Sequence, residues 1–191
     1  MKKIFTLVLL AAVALCACES PMQNEESQQE KPQRPENALS TLTEDIEVNF
    51  PADTSLCFAD CFGDYYDTGL YMWQFYFMEF NTKEQLCIEV MVRPNDLVAP
   101  TGTFYATSDI FCEGGMLRGI VDEEAYNAYS WYIRLATSAA AAAKAPVAEG
   151  SVTITANEDG THTATFNLQD DAYNSITGSY TGVLSIEDFR M

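Results

Sequence analysis

Basic residues are scarce in this sequence. Ten Lys and Arg residues stand against 28 Asp and Glu residues, and the formal net charge is −18. A field of this sign repels the phosphates of nucleic acids and of anionic lipids. We therefore expect no nucleic acid among the partners and no electrostatic attachment to a membrane surface.

Histidine is scarcer still, because His162 is the only one. A Ser-His-Asp or Cys-His site needs a nucleophile beside the imidazole, and no motif marks one. Carboxylates are abundant, but a glycoside hydrolase needs two at a set separation across a cleft, which a sequence does not show. We predict a protein that is not an enzyme and has no cofactor, and we keep a glycoside hydrolase as the less favoured alternative.

Long apolar runs are absent beyond the first 17 residues, and a membrane-spanning helix takes about 20 apolar residues. The start of the chain has Lys2 and Lys3 followed by a short apolar stretch, residues 4–15, which is typical of a secretory signal. The stretch ends in Leu15-Cys16-Ala17-Cys18, with the small Ala17 directly before Cys18, and this resembles the bacterial lipobox. We predict a lipoprotein signal peptide over residues 1–17 and lipid attachment at Cys18. The resemblance implies a lipid anchor in the bacterial envelope.

Residues 18–41 combine the acylated cysteine with Gln, Glu and three prolines, and they offer almost nothing apolar to bury. This composition predicts a disordered acidic tether. Acidic residues soon after Cys18 also resemble the surface-export signal of Bacteroidetes lipoproteins, which implies display on the outer surface of the outer membrane. Residues 42–191 are long enough for a single domain with its own core.

The domain shows apolar residues at every second position, which predicts β-strands. About nine strands follow at close spacing, with turn residues between them: 46–50, 70–80, 85–93, 103–109, 116–121, 129–135, 151–156, 161–168 and 176–186. We expect an all-β fold of about 8–9 strands, either an antiparallel calycin-like or lipocalin-like barrel or a β-sandwich. The alanine-rich segment 136–145 breaks this pattern and is either a short helix or a loop.

The pattern also specifies the pairing within one hairpin. Asn157 opposite Thr161, around a loop with Gly160, places Ile154 opposite Ala164 on an apolar face and threonines on the other.

A second hairpin has two dissimilar faces. Pairing of Phe80 with Gln85 makes one face apolar throughout, with Trp73, Phe75 and Phe77 opposite Val92, Val90 and Ile88. The reverse face mixes apolar and polar side chains: Met72, Gln74, Tyr76 and Met78 opposite Arg93, Met91, Glu89 and Cys87. Such a face is neither clean core nor clean surface, so we expect another segment, a partner or a ligand to cover it.

Aromatic side chains give an exported protein the means to stack on sugar rings. Trp73 and Trp131 share a face with core residues, whereas tyrosines in loops or on the mixed face are better placed for a ligand. The candidate ligand-binding residues are Tyr65, Tyr66, Met72, Gln74, Tyr76 and Tyr132.

Metal and disulfide sites have weak signals. Asp170, Asp171 and Asn174 are weak calcium candidates, because their oxygens cluster in one loop without the EF-hand spacing. A turn that uses these residues for their backbone preference is the simpler interpretation. Disulfides among Cys57, Cys61, Cys87 and Cys112 stay open, since four cysteines allow three pairings and free thiols are a further alternative.

Three short segments carry a family resemblance: Ala99-Pro100-Thr101-Gly102-Thr103-Phe104-Tyr105, Gly150-Ser151-Val152-Thr153-Ile154-Thr155 and Ile176-Thr177-Gly178-Ser179-Tyr180-Thr181-Gly182. With the signal region, they resemble uncharacterised surface lipoproteins of Bacteroides-type bacteria. The resemblance implies a calycin-like barrel or β-sandwich on an acylated tether and carries over no catalytic residue. We expect a non-catalytic domain that binds a ligand, with a glycan or an envelope protein as its partner. A structural or assembly subunit of an envelope complex is the alternative.

Overall fold

The computed structural model describes residues 31–190 of the chain. The predicted signal peptide, Cys18 and the first part of the tether lie outside these residues. Within residues 31–190 there are thirteen strands and no helix, and the strands are β1 (Ile46–Phe50), β2 (Ser55–Gly63), β3 (Tyr71–Glu79), β4 (Glu84–Val92), β5 (Gly102–Thr107), β6 (Gly115–Leu117), β7 (Ile120–Val121), β8 (Asn127–Ala128), β9 (Trp131–Arg134), β10 (Ala143–Ala156), β11 (His162–Asp170), β12 (Ser175–Gly182) and β13 (Ser185–Asp188). The predicted all-β class is confirmed. No helix long and apolar enough to cross a membrane occurs in this part of the chain.

Five strands close into a small mixed barrel in the order β10, β5, β6, β4 and β9, with β9 returning to β10. Further strands extend this ring on two sides: β11, β12 and β1 follow β10, whereas β3, β2 and β13 follow β4. Most pairs are antiparallel, as predicted, and three pairs are parallel: β1 with β12, β13 with β2, and β5 with β6.

The core lies between the two extensions of the sheet. Phe77 on β3 packs against Phe166 on β11, with ring centroids 5.0 Å apart, and against Phe50 on β1 at 5.7 Å. Trp73, Phe75 and Phe77 are fully buried, so the apolar face predicted for this hairpin is the core face. Side chains fill the interior, as expected for a barrel of few strands.

The hairpin of β3 and β4 has a register that differs by two residues from the predicted one, since Glu79 rather than Phe80 ends the pairing, opposite Glu84. Glu79 accepts hydrogen bonds from the backbone N–H and hydroxyl of Thr82 and from the amide of Asn81, which folds residues 80–83 into the turn. Burial opposes ionisation, but these bonds outweigh it and lower the pKa of Glu79 to about 2. A shift of two residues leaves every side chain on its predicted face, because strands repeat every two residues.

The hairpin of β10 and β11 has the predicted register. Ile154 pairs with Ala164, and the N–H of Asn157 donates to the carbonyl of Thr161 at 2.8 Å around Gly160. In the next pair, Phe166 lies opposite Gly178. Gly178 has φ +147, and a Cβ there would overlap the carbonyl oxygen of Val48 on β1. Glycine at this position therefore lets β1 pair closely with β12.

Two parts of the strand prediction were incomplete. Strand β2 was not predicted, because its inward residues, Cys57, Ala59 and Cys61, are small and its outward residues include Phe58 and Phe62. The alanine-rich segment divides: residues 136–142 form a loop, and from Ala143 the chain is part of β10. Ala143 and Ala145 of this strand are buried in the core.

The folded unit also begins before the predicted boundary at residue 42. The backbone N–H groups of Leu39 and Ser40 donate to the carboxylate of Asp171, and the N–H of Thr41 donates to the carbonyl of Lys144 at 2.8 Å. Residues 39–41, which composition placed in the tether, are thus attached to the domain.

Candidate functional site

A cavity of about 340 Å³ opens on the mixed face of β3 and β4, on the opposite side of the sheet from the core. We call it the outer cavity. Its lining comprises residues from β2, β3, β4, β8 and β9 and from two loops: Phe62, Tyr65, Tyr66, Met72, Gln74, Tyr76, Gln85, Cys87, Glu89, Asn127, Ala128, Tyr129, Trp131 and Ile133. Five of the six predicted ligand-binding residues lie in this lining: Tyr65, Tyr66, Met72, Gln74 and Tyr76. The alanine-rich segment contributes no residue to it, so this segment does not fill the face.

The floor of the outer cavity is a hydrogen-bonded chain of side chains that converges on Glu89. The Tyr66 hydroxyl donates to Oε1 of Glu89 and the Gln74 amide donates to Oε2, both at 2.7 Å. The Tyr76 hydroxyl in turn donates to Oε1 of Gln74, and the backbone N–H of Glu89 donates to Oγ of Ser130 at 3.0 Å. Each carboxylate oxygen of Glu89 has one protein donor and keeps capacity for another.

Burial governs the protonation of this chain. Glu89 is 1% exposed. Burial raises its pKa, and the bonds from Tyr66 and Gln74 oppose that rise because they favour the charged form. Burial also raises the pKa of Tyr66, with the negative charge of Glu89 adding to the effect. The phenol therefore stays protonated and serves as a hydrogen-bond donor.

Aromatic rings form one wall of the outer cavity and hold each other in edge-to-face contacts. The rings of Tyr65 and Tyr66 lie 5.0 Å apart at 88°, and those of Tyr66 and Tyr129 lie 6.2 Å apart at 79°. Phe62 packs edge-on against Tyr65 at 6.2 Å. Edge-to-face contact is a preferred geometry for aromatic pairs, so the rings of this wall support one another.

Trp131 completes the opposite wall. Its indole N–H lies within hydrogen-bond distance of the carbonyls of Ala128 and Ile120, at 2.8 and 3.1 Å, and the ammonium of Lys144 lies 5.6 Å from its ring centroid. The sequence placed Trp131 and Ile133 on one face of a strand, which is correct. That face, however, is the side of the outer cavity and not the core.

The charge of the lining limits what it can bind. Of the described residues that line the outer cavity, Glu89 is the only carboxylate, and none is Lys, Arg or His. An anionic ligand would meet no counter-charge there. The nearby buried carboxyl of Asp60 is two strands away, with Gln74 between it and Glu89, which separates the two backbones by about 10 Å.

No protein-family profile, curated protein or solved structure matches this chain. Any assignment of a ligand to the outer cavity therefore rests on the side chains that line it.

A second cavity, of about 320 Å³, adjoins the first and shares Gln85 and Ile133 with it. We call it the apolar groove. Its remaining lining comes from the end of β3, the turn that follows, the start of β4 and the residue after β9: Met78, Glu79, Phe80, Lys83, Glu84 and Leu135. Phe80 and Leu135 are each 62% exposed, so two large apolar side chains of this groove are open to solvent.

Tyr132, the sixth predicted ligand-binding residue, is not at the outer cavity. It is fully buried in the core, and its hydroxyl donates to Oε1 of Glu84 at 2.6 Å. The prediction assigned Trp131 to the core and Tyr132 to the surface, whereas β9 is covered on both faces and buries both side chains.

The weak calcium candidates bind protein groups in the structure. Asp170 accepts hydrogen bonds from the hydroxyl of Ser40 at 2.6 Å and from the N–H groups of Ala172 and Asn174, at 2.9 and 2.7 Å. Asn174 also donates its side-chain amide to Asp170 at 2.8 Å, and Asp171 accepts from residues 39 and 40. These side chains shape a turn and attach the N-terminal segment to it. Within residues 31–190, no cluster of three or more His, Cys, Asp or Glu side chains is arranged to hold a metal ion.

The four cysteines of the described residues are free thiols. Cys57 and Cys61 face the core, and burial raises the pKa of Cys57 to about 11. Cys87 lies on the other face, in the outer cavity.

Glu89, the central group of the outer cavity, is not among the residues that the sequence predicts for the site. One signal was present: Glu89 is a charged residue between Ile88 and Val90 in the middle of an apolar strand. A charge at such a position is costly unless it is hydrogen-bonded, so it points to a partner network or a site. Tyr129, Asn127 and Phe62 carried no comparable signal, because their place depends on the tertiary fold.

Proposed function

We propose that this chain is an envelope lipoprotein, exported by residues 1–17 and anchored through Cys18, whose β-domain binds a small uncharged ligand in the outer cavity. A glycan is the ligand class that fits the lining best. The anchor is supported by the lipobox in the sequence, and the ligand class by the side chains of the cavity.

The observation that carries this proposal is six aromatic rings around a hydrogen-bonding floor. The rings belong to Phe62, Tyr65, Tyr66, Tyr76, Tyr129 and Trp131. The floor offers a carboxylate, Glu89, and the amides of Gln74 and Gln85, which accept and donate to hydroxyls. Sugars present both an apolar ring face and many hydroxyls, and the cavity pairs each with a suitable group.

Binding without catalysis is the simplest use of this lining. Hydrolysis of a glycosidic bond takes two carboxyl groups on either side of the bond. Glu89 is the single carboxylate among the described lining residues, and the Asp60 carboxyl lies outside the lining. A hydrolase would need its second carboxyl group from another source.

A glycan array probed with the chain and with two variants tests the proposal. We expect Tyr65→Ala and Tyr66→Ala to weaken binding about tenfold, because each removes a ring from the wall and Tyr66→Ala also removes a donor to Glu89. Tyr105→Ala is the matched control, since Tyr105 is exposed like Tyr65 but lies on β5, outside the cavity. An array without hits, or equal losses in all three variants, would contradict the glycan proposal.

A second candidate function is an assembly subunit of an envelope complex. The observation in its favour is the exposure of Phe80 and Leu135 in the apolar groove. Cross-linking in intact cells separates the two functions, because only an assembly subunit requires a stoichiometric protein partner.

A further inference from the structure

The outer cavity and the apolar groove adjoin each other along the outer face of β4, and we call the two together the channel. Gln85 and Ile133 line both. From Glu89 to Gln85, β4 advances four residues along this face, or about 14 Å. This length exceeds a single sugar ring. Each cavity alone is at the small end of the volumes that hold a ligand, whereas the two together fall well within that range.

We propose that this channel binds an extended, uncharged oligosaccharide, with one ring in the outer cavity and further rings along the apolar groove. The inference rests on the proposed function and specifies the length and shape of its ligand. The outer cavity orients the first ring through Glu89, Gln74 and the tyrosines. The groove supports the following rings on Met78, Phe80, Ile133 and Leu135.

The groove suits the apolar faces of sugar rings because Met78, Phe80, Ile133 and Leu135 line it and its two carboxylates are bonded to protein groups. Glu79 is bonded to Thr82, and Glu84 accepts from Tyr132 and lies 4.0 Å from the guanidinium of Arg134. Phe80, Lys83 and Leu135 are the exposed side chains of its lining, and the ring of Phe80 is available for stacking. The lining of the channel holds three carboxylates, Glu79, Glu84 and Glu89, and one lysine, Lys83, so an anionic polysaccharide gains no net attraction there.

An extended peptide fits this channel less well than a sugar chain. Peptides in extended form gain most of their affinity from pairing with an exposed sheet edge. The channel lies on the face of the sheet, where β4 pairs with β3 on one side and with β6 and β9 on the other. Its floor offers side-chain amides and a carboxylate and no unpaired strand edge. The ligand groups that these side chains can pair with are therefore hydroxyl groups.

The test is isothermal titration of the full chain with neutral oligosaccharides of increasing length. The probes are the gluco-, manno- and xylo-oligosaccharide series, from the monosaccharide to the hexasaccharide. For the series that binds, we expect affinity to rise about tenfold between the shortest ligand that binds and the tetrasaccharide, and then to level off. Phe80→Ala should remove this gain and leave the shortest ligand unaffected, whereas Tyr66→Ala should weaken every length. Phe111→Ala is the matched control, because Phe111 is as exposed as Phe80 but lies outside the channel.

Two outcomes separate this inference from the proposed function. Binding of a short sugar with no gain in affinity with length, or a gain that Phe80→Ala does not change, overturns the extended channel and leaves the outer cavity as a sugar site. Failure of every series to bind overturns both. Displacement of a bound oligosaccharide by an extended peptide, with the peptide's affinity lost in Phe80→Ala, would assign the channel to a protein partner instead and would overturn the inference.

Discussion

Asp60 offers the sharpest test of the energetics of this fold. It lies on the outer face of β2, between Gln74 on β3 and Glu187 on β13. It is 7% exposed, and its Oδ1 has no hydrogen-bond partner in the structure. Burial raises the pKa of Asp60 from 3.8 to about 6, and the negative charge of Glu187 contributes to the rise. We predict that Asp60→Asn stabilises the protein above pH 6.

The magnitude follows from the difference between the two states. One pH unit of difference in pKa corresponds to about 1.4 kcal/mol. A carboxyl with a pKa of about 6 in the folded protein and 3.8 in the unfolded chain therefore destabilises the folded state by about 3 kcal/mol once it is ionised. The folded protein binds this proton more tightly than the unfolded chain, so its stability falls as the pH rises from about 4 to about 6. Above pH 6 this contribution is constant.

Thermal unfolding followed by circular dichroism at pH 4 and pH 7.5 measures the effect. The amide introduced by Asp60→Asn cannot ionise, so the variant should exceed the wild type in Tm by roughly 6–12 °C at pH 7.5 and by little at pH 4. Asp53→Asn, which changes an exposed carboxylate in a turn, is the control and should track the wild type at both pH values. A difference between Asp60→Asn and the wild type that is the same at both pH values would refute the reasoning.

Two further predictions concern the backbone and the anchor. Gly178→Ala should lower the free energy of unfolding by at least about 2 kcal/mol, because Gly178 has a positive φ and Val48 lies close to it. Gly160→Ala is the control and should cost clearly less, because Gly160 also has a positive φ but lies in open space. Equal losses of the two variants in urea titrations would contradict this prediction. Cys18→Ser should abolish the incorporation of labelled palmitate in growing bacteria, and a variant that still takes up the label would disprove lipidation at this residue.

Sequence pattern could predict a strand register where alternation and the turn agree. In the hairpin of β10 and β11, alternation excludes a shift of one residue, and the short loop with Gly160 between Asn157 and Thr161 excludes a shift of two. In β3 and β4, a shift of two residues preserves both faces, and the deciding contact is between Glu79 and Thr82 in the turn. Alternation could not reveal that contact, because it describes faces and not turns.

The candidate site was predictable to the extent that one strand determines it. Alternation places Met72, Gln74 and Tyr76 on a single face, and all three line the outer cavity. The opposite wall comes from residues 127–133, which reach the cavity through the pairing of β9 with β4. Pairing between segments so distant in sequence leaves no local pattern, which explains why the faces of Trp131 and Tyr132 were misjudged.

Strand β9 has two roles with a common thermodynamic consequence. Its four residues are the seam of the barrel, since they join β4 to β10, and Trp131 and Ile133 also form a wall of the outer cavity. Detachment of β9 would open the barrel and dismantle the cavity in one step. A ligand that touches β9 and β4 together therefore holds the seam shut, and at one hundred times its Kd it would add about 2.7 kcal/mol to the free energy of local opening. Occupancy of the site would then be measurable as slower hydrogen exchange of the backbone amides of β9.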